Sequence, residues 1–307
     1  MTLDGILNVN KPAGWTSFDV VAFVRRHSGV RRVGHAGTLD PAAEGVLLVC
    51  LGRATRIVEF LLDARKSYRA RVRLGVTTDT YDADGAVVRA ADASSMTREA
   101  VEQALDSFRG TISQTPPMFS AQKREGTPLY RHARAGRDVE REAREVEVYR
   151  LELVEFDLPA LMLDVECGRG FYVRSLAHDL GERLGCGAHL EGLTRVAVGP
   201  FGVESAVDIE TLRAAFVDGT WVDFLLPMDS VLLDWHAAIL GDENAANVRF
   251  GRTLDLVPVD DARVNALPAG TQCRAYSLDG RLIALLRYGG GAIWQPAKVL
   301  EGSESPS

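Results

Sequence analysis

The sequence predicts an α+β fold built on a mixed or largely antiparallel sheet, followed by a small β-barrel, and three observations carry that prediction. Residues Ser67 to Leu74 alternate strictly, with Tyr68, Ala70, Val72 and Leu74 on one face and Arg69, Arg71 and Arg73 on the other. That is the period of a strand with one face buried. Helical and strand patterns then mix without a regular βαβ rhythm, which argues against a doubly wound sheet. Beyond Pro227-Met228-Asp229-Ser230, short apolar runs are separated by turns at Pro268-Ala269-Gly270, Leu278-Asp279-Gly280 and Gly289-Gly290-Gly291, the spacing of a small barrel.

Taken in order, the first helix begins at Thr16-Ser17, a hydroxyl cap, and places Phe18, Val21 and Val24 on one face. The run Val46 to Leu51 is short, rich in Val and Leu and closed by Gly52, so it reads as a buried strand. A second helix is expected from Thr97 to Phe108, with Val101, Leu105 and Phe108 at helical spacing and Gly110 beyond its end. Val146 to Leu153 and Leu161 to Cys167 read as strands joined through Asp157-Leu158-Pro159. A third helix covers Val173 to Leu184, and Gly185 stands where a C-terminal glycine belongs. Between Thr111 and Val146, prolines, glycines and a dense run of alternating charges replace any periodicity. Such an excursion is either a functional insertion or a solvated, salt-bridged face.

A length of 307 residues suggests about two domains, and the 46% hydrophobic and 25% charged content is ordinary for a soluble globular chain. No apolar stretch reaches the roughly 18 residues of a membrane span. The N-terminal residues show no basic region followed by an apolar stretch, so no secretory signal is expected. The four cysteines (50, 167, 186 and 273) are scattered without metal-site spacing. Cys50, in the apolar strand, is expected to be a reduced, buried thiol, which suits the cytoplasm. His27, His132, His178, His189 and His236 form no recognisable ligand set.

The net charge of −7 runs against a simple nucleic-acid binder, which is expected to be basic. Charge is segregated, however. The segment Lys66 to Arg73 contains Lys66, Arg69, Arg71 and Arg73 and no acid, whereas pairs such as Asp242-Glu243 and Asp260-Asp261 fall after Gly199. The excess of Arg over Lys suits planar contacts to phosphate or base, or reflects genome composition alone.

The stretch with most chemical content is Gly34 to Gly52, GHAGTLDPAAEGVLLVCLG. Asp40 is held between Leu39 and Pro41 among glycines 34, 37 and 45, directly before the buried strand. A carboxylate fixed there suits a nucleophile or base; taken alone, it would equally cap a turn before Pro41.

GHAGTLDP, followed by an apolar strand and GRATR, resembles the catalytic motif of the bacterial tRNA pseudouridine-55 synthases, the TruB family. NKPAGWTS (Asn10 to Ser17), KSYRARVRLG (Lys66 to Gly75), TTDTYDADG (Thr77 to Gly85), PPMFSAQK (Pro116 to Lys123), GFYVRSLAHDLGERLGCGAHL (Gly170 to Leu190) and PMDS (Pro227 to Ser230) resemble further family segments in the family's order. The resemblance implies a pseudouridine-synthase catalytic domain over residues 1–230, with a thumb-like RNA-binding insertion at about 111–146. A PUA-like RNA-binding domain over 231–300 and a flexible tail at 301–307 complete the expected organisation. It further implies Asp40 as the essential carboxylate, Arg174 as the arginine that pairs with it and keeps it ionised, and Tyr68 as the tyrosine stacking on the target base. Tyr172 and Leu193 would line the same pocket, and His35 would occupy the space vacated by the flipped base. Phosphate contacts would come from Lys11, Arg53, Arg56, Lys123 and Arg124. No cofactor and no metal is implied. The expected partner is the T arm of tRNA, bound by a monomer in the cytoplasm. Glu44 departs from the family, replacing a small hydroxyl residue; it is expected to point outward or to join the loop's own hydrogen bonding. The other readings are a tRNA-binding or tRNA-folding protein whose catalysis is incidental or lost, and a synthase serving guide RNAs. The compact chain without long basic tails argues against the last.

Overall fold

The computed structural model describes residues 3–119, 123–124, 127–128, 139–256 and 267–301, with only the backbone of 123–124 and 127–128. Its centre is a mixed sheet. Along its main path the strands lie in the order Val207–Asp208, Gly5–Lys11, Glu44–Leu51, Ala188–Val198, Lys66–Leu74, Ala160–Cys167, Arg144–Asp157 and Gly110–Gln114. Pairing is parallel between Val207–Asp208 and Gly5–Lys11 and between Glu44–Leu51 and Ala188–Val198, and antiparallel elsewhere along that path. A curled five-stranded sheet follows, ordered His236–Leu240, Gln272–Ser277, Leu282–Gly290, Ile293–Val299 and Leu254–Asp255. It is a half-barrel with the turn glycines where the sequence puts them: Gly270, Gly280 and Gly291 all have positive φ.

Burial explains the sequence patterns. In Glu44–Leu51, Val46, Leu48 and Cys50 join one hydrophobic cluster while Leu47, Val49 and Leu51 join another. Both faces of this strand are covered, so its apolar run is continuous rather than alternating. In Lys66–Leu74, Ala70, Val72 and Leu74 are buried against the Val173–Leu184 helix and its surroundings, and the arginines are exposed. The Ser17–Ser28 helix opens with the expected cap, extended to a capping box between Thr16 and Asp19. Its buried face is Val20, Val21, Phe23 and Val24, whereas Phe18 is 66% exposed. At 100° per residue Phe18 lies about 140° from the centre of that stripe, which corrects the expected face. The Arg98–Leu105 helix is capped by Thr97 and gives way to a 3₁₀ turn at Asp106–Phe108. Gly185 closes Val173–Leu184 in the left-handed conformation. All four cysteines are free and buried. No helix among the described residues is long and apolar enough to cross a membrane.

The two sheets share a core: Leu282, Leu285 and Leu300 pack into the same cluster as Ile6, Val46 and Ile57. The PMDS segment contributes a latch, in which Asp229 accepts from the Tyr276 hydroxyl and pairs with Arg274 at 3.5 Å. Glu301, expected in a flexible tail, instead pairs with Arg53, Arg249 and Arg281 at 3.5, 2.9 and 2.7 Å. Three guanidiniums converge on it, from the 3₁₀ turn Gly52–Ile57, the helix Asp242–Arg249 and the turn before Leu282–Gly290.

The expected insertion at 111–146 is narrower than its sequence suggests. Its ends are ladder, because Gln114 to Gly110 pairs with Arg144 to Val148. Lys123–Arg124 and Thr127–Pro128 form a small two-stranded ladder of their own.

One glycine sets how closely the central strands approach. Gly45 has φ 101°, and a β-carbon there would lie 2.3 Å from the carbonyl oxygen of Arg195 on the neighbouring strand. Gly45→Ala is therefore expected to destabilise the fold by about 3 kcal/mol, from left-handed strain plus a backbone clash. Thermal unfolding reads this directly, and a midpoint within about 1 °C of wild type would contradict it.

Candidate active site

The loop from Ala36 to Ala43 is tied at nearly every step. Ala36 N–H donates to Leu48 O (2.9 Å), Leu39 N–H donates to Ser17 Oγ (2.8 Å), and Ser17 Oγ–H donates back to Leu39 O (3.1 Å). Pro41 O accepts from Gly14 N (2.8 Å) and from Lys11 Nζ (3.2 Å), and Ala43 N donates to Asp40 O (3.1 Å). Most of these partners come from NKPAGWTS. That segment folds against the Asp40 loop and holds it through main-chain contacts, leaving the Asp40 carboxylate free of loop-holding duty.

The carboxylate meets Arg174 from the first turn of Val173–Leu184, with Oδ2 2.9 Å from a terminal guanidinium nitrogen. Arg174 is 6% exposed and is held from two further sides: Asp82 Oδ2 at 3.2 Å and the Phe119 carbonyl at 2.8 Å. The helix start is fixed in turn. The Gln114 amide takes both the N–H and the C=O of Tyr172 (2.8 and 3.0 Å), and Ser175 Oγ donates to Thr115 O (2.8 Å). The stem of the 111–146 insertion is thus bonded to the element that carries Arg174. Burial pushes the Asp40 carboxyl up from its ordinary value; Arg174 and Lys11 oppose that and Asp82 reinforces it. The sequence expectation had the neighbouring arginine lowering this group, and desolvation outweighs it.

Asp40 opens onto a cleft of about 500 Å³ whose walls include Leu62, Lys66, Tyr68, Tyr172, Leu193 and Arg195. Its size is that of a small-ligand site. Asp40, Arg174, Tyr68, Tyr172 and Leu193, named from sequence, all meet here. Tyr68 is partly buried on its strand, and burial raises its hydroxyl above the ordinary tyrosine value, opposed by the Arg195 guanidinium.

Other expected contacts fall elsewhere. Lys11 is fully buried rather than phosphate-facing, because its strand register sets it opposite Gly45, beneath the Asp40 loop. Its Nζ donates to the carbonyls of Pro12, Trp15 and Pro41, and burial lowers it to about 8. Arg53 is committed to Asp4 at 2.7 Å and to Glu301. Arg56 is exposed, with one guanidinium nitrogen on Leu300 O. His35 is half-buried behind the loop with Nδ1 unbonded, and it is not among the residues lining the cleft. The side chains of Lys123 and Arg124, and all of His132, lie outside the described residues. Glu44 is exposed and accepts from Thr194 Oγ1 at 3.1 Å.

The basic stripe is partly compensated by neighbouring strands. Arg69 pairs with Asp164, and Arg71 and Arg73 share Glu191. Lys66 is buried, its Nζ donating to Leu62 O and Ala64 O.

Two residues escaped the sequence reading: Asp82, which pairs with Arg174, and Arg195, which lines the cleft. Asp82 lies in TTDTYDADG, and its loop is held by Tyr81, which takes φ 66° and stacks on His178 at 3.8 Å. Arg195 follows Leu193 in GLTR; an arginine on a strand reads as outward-facing until the register is known.

The model of the TruB family pseudouridylate synthase N-terminal domain matches residues 25–173, and that of the tRNA pseudouridylate synthase B C-terminal domain matches 174–233. A tRNA pseudouridine synthase B of Dehalococcoides mccartyi (strain CBDB1) is 42% identical over 297 residues, covering 97% of this chain and 96% of the relative. One from Geobacter sulfurreducens is 44% identical over 283 residues, covering 92% and 93%. Among solved structures, a Cbf5–Nop10–Gar1 complex aligns with a TM-score of 0.73 at 26% identity, covering 97% of this chain and 85% of that one. With the motifs, the cleft and these similarities in agreement, the chain belongs to the TruB family of pseudouridylate synthases.

Proposed function

We propose that this protein is a tRNA pseudouridine synthase that isomerises uridine 55 in the T loop, with Asp40 as the essential carboxylate. The observation that carries this reading is the Asp40 carboxylate held 2.9 Å from a buried Arg174 at a cleft bounded by Tyr68, Tyr172 and Leu193. The relatives named for tRNA match at 42–44% identity over almost the whole chain, against 26% for the Cbf5 structure, which favours tRNA over guide RNAs.

In the reaction the C1′–N1 bond breaks, the base turns, C5 bonds to C1′, and the C5 proton leaves as N1 is reprotonated. Nothing is oxidised or reduced. The uridine must be flipped out of the folded loop at a cost of a few kcal/mol, and the cleft accepts one nucleoside. Tyr68 and Leu193 sandwich the base; Asp40, kept ionised by Arg174, acts at the sugar or the ring. Residues 1–230 form the catalytic unit, the part of 111–146 between its ladder ends the RNA-gripping insertion, and 231–300 a PUA-like RNA-binding unit, with His35, Arg56, Lys123 and Arg124 as further RNA contacts.

Tritium release from 5-tritiated uridine in an unmodified tRNA transcript tests this. Release is expected from the native transcript and none from a transcript carrying cytidine at position 55. Binding without release would favour a tRNA-folding role. Because the chain carries −7 overall, RNA must be held by a local set of cations. With about four phosphate contacts, affinity is expected to fall roughly 50-fold between 50 and 200 mM salt. A flat filter-binding curve over that range would contradict it.

A further inference from the structure

Arg195 is 1% exposed, and no carboxylate lies within ion-pair distance of it among the described residues. A buried charge without a counter-ion is costly unless its hydrogen bonds are well made. Here Nε donates to Val46 O at 2.7 Å and a terminal nitrogen to Gly37 O at 3.0 Å, and Arg195 stands opposite Tyr68 in the strand register, where its charge acts on the Tyr68 hydroxyl. These neighbours stand on three separate segments: the core strand, the Asp40 loop and the strand carrying Tyr68. A register shift between Arg195 and Ala197, a local irregularity in the ladder with Lys66–Leu74, accompanies the inward placement. The close approach of the strands is made by the Arg195 backbone against Gly45, so the side chain does not set the strand spacing. Donation from Nε and from a terminal nitrogen to two separate segments in one plane is what a guanidinium supplies and an ammonium does not.

We propose that Arg195 is a positioning residue for the isomerisation, tying the Asp40 loop to the core strand opposite Tyr68 so that both sides of the cleft are held at one geometry. The inference rests on the reading of the cleft as the uridine site. Its charge also bears on what shares the cleft wall: Lys66 is lowered to about 8, by burial first and by Arg195 second. At 1% exposure Arg195 offers RNA almost no surface, so its loss is expected to act on positioning more than on affinity.

Single-turnover tritium release at saturating tRNA tests the role, with tRNA affinity and thermal midpoint measured alongside. Arg195→Lys keeps the charge and loses the fork; its rate is expected to fall about 30- to 100-fold, with affinity within about threefold of wild type. Arg195→Met should lose at least as much. In a Tyr68→Phe background, where the hydroxyl facing Arg195 is gone, the Arg195→Lys penalty should shrink at least about fivefold. An unchanged penalty in that background, a Lys variant within about threefold of wild-type rate, or parallel loss of rate and affinity would overturn the proposal. Failure of both variants to fold would overturn it too, by making the residue a structural one. Absence of release from wild type would instead refute the uridine reading of the cleft.

Discussion

Asp40→Asn is expected to reduce tritium release from tRNA by at least about a thousandfold while tRNA binding stays within about threefold of wild type. The substitution keeps the shape of the side chain and removes only its charge and basicity. The loop does not depend on that charge: Ser17 clamps Leu39, Gly14 and Lys11 clamp Pro41, and the Asp40 main-chain oxygen takes the Ala43 amide. Folding should not suffer either, and linkage gives the sign. Burial raises the native Asp40 carboxyl above its ordinary value, so the folded state binds this proton more tightly than the unfolded chain. The ionised form therefore opposes folding, and the stability it removes is lost as pH rises through the native value. Asn is expected to leave the thermal midpoint at pH 7 equal to or slightly above wild type. The same upward shift places the acid limb of the wild-type pH–rate profile above the range of a free aspartate. Release that survives the substitution would move the essential role to another residue. A lowered midpoint with weakened binding would show that the carboxylate holds the loop.

The sequence made Asp40 legible because its restraints are local: glycines, a proline and an apolar strand within a few positions. Arg174, Tyr68, Tyr172 and Leu193 became legible through motifs, and they meet in one cleft. What stayed hidden was set by strand neighbours far away in sequence. The arginine stripe reads as an RNA face until Asp164 and Glu191 arrive from 95 and about 120 positions on to compensate it in part. Lys11 reads as a phosphate ligand by its charge, but its register opposite Gly45 turns it inward, onto three carbonyls. Asp82 comes from a loop with no periodicity, and Arg195 from a strand whose register shift no propensity announces. In the fold, the continuous apolar run of Glu44–Leu51 signalled burial without saying that two different clusters share it. Pattern reports that a side chain is covered; topology decides by what.

Arg174→Met is expected to lower the single-turnover rate at pH 7 by at least about a thousandfold, and its pH dependence separates electrostatics from packing. Methionine fills similar volume but removes the charge that Asp40 and Asp82 share at 2.9 and 3.2 Å. Without it, the terms left acting on Asp40 are burial and the Asp82 charge, both upward, against the more distant Lys11 alone. The acid limb of the pH–rate profile should therefore move to higher pH than in wild type, with partial recovery of rate as pH is raised. Stability should change in the opposite sense. With Arg174 buried but the Asp40 side chain 42% exposed, losing the guanidinium is expected to cost about 1–2 kcal/mol at pH 7, and the deficit should shrink as pH falls and the Asp40 carboxyl takes its proton. Arg174→Lys keeps a charge without the fork that reaches Asp40, Asp82 and the Phe119 carbonyl together, so it should restore stability more than rate. A Met variant with an unmoved acid limb and normal stability would mean that Asp40 is kept ionised by something other than Arg174. Loss of rate and stability together at every pH would mean that the guanidinium serves mainly to pack the helix start.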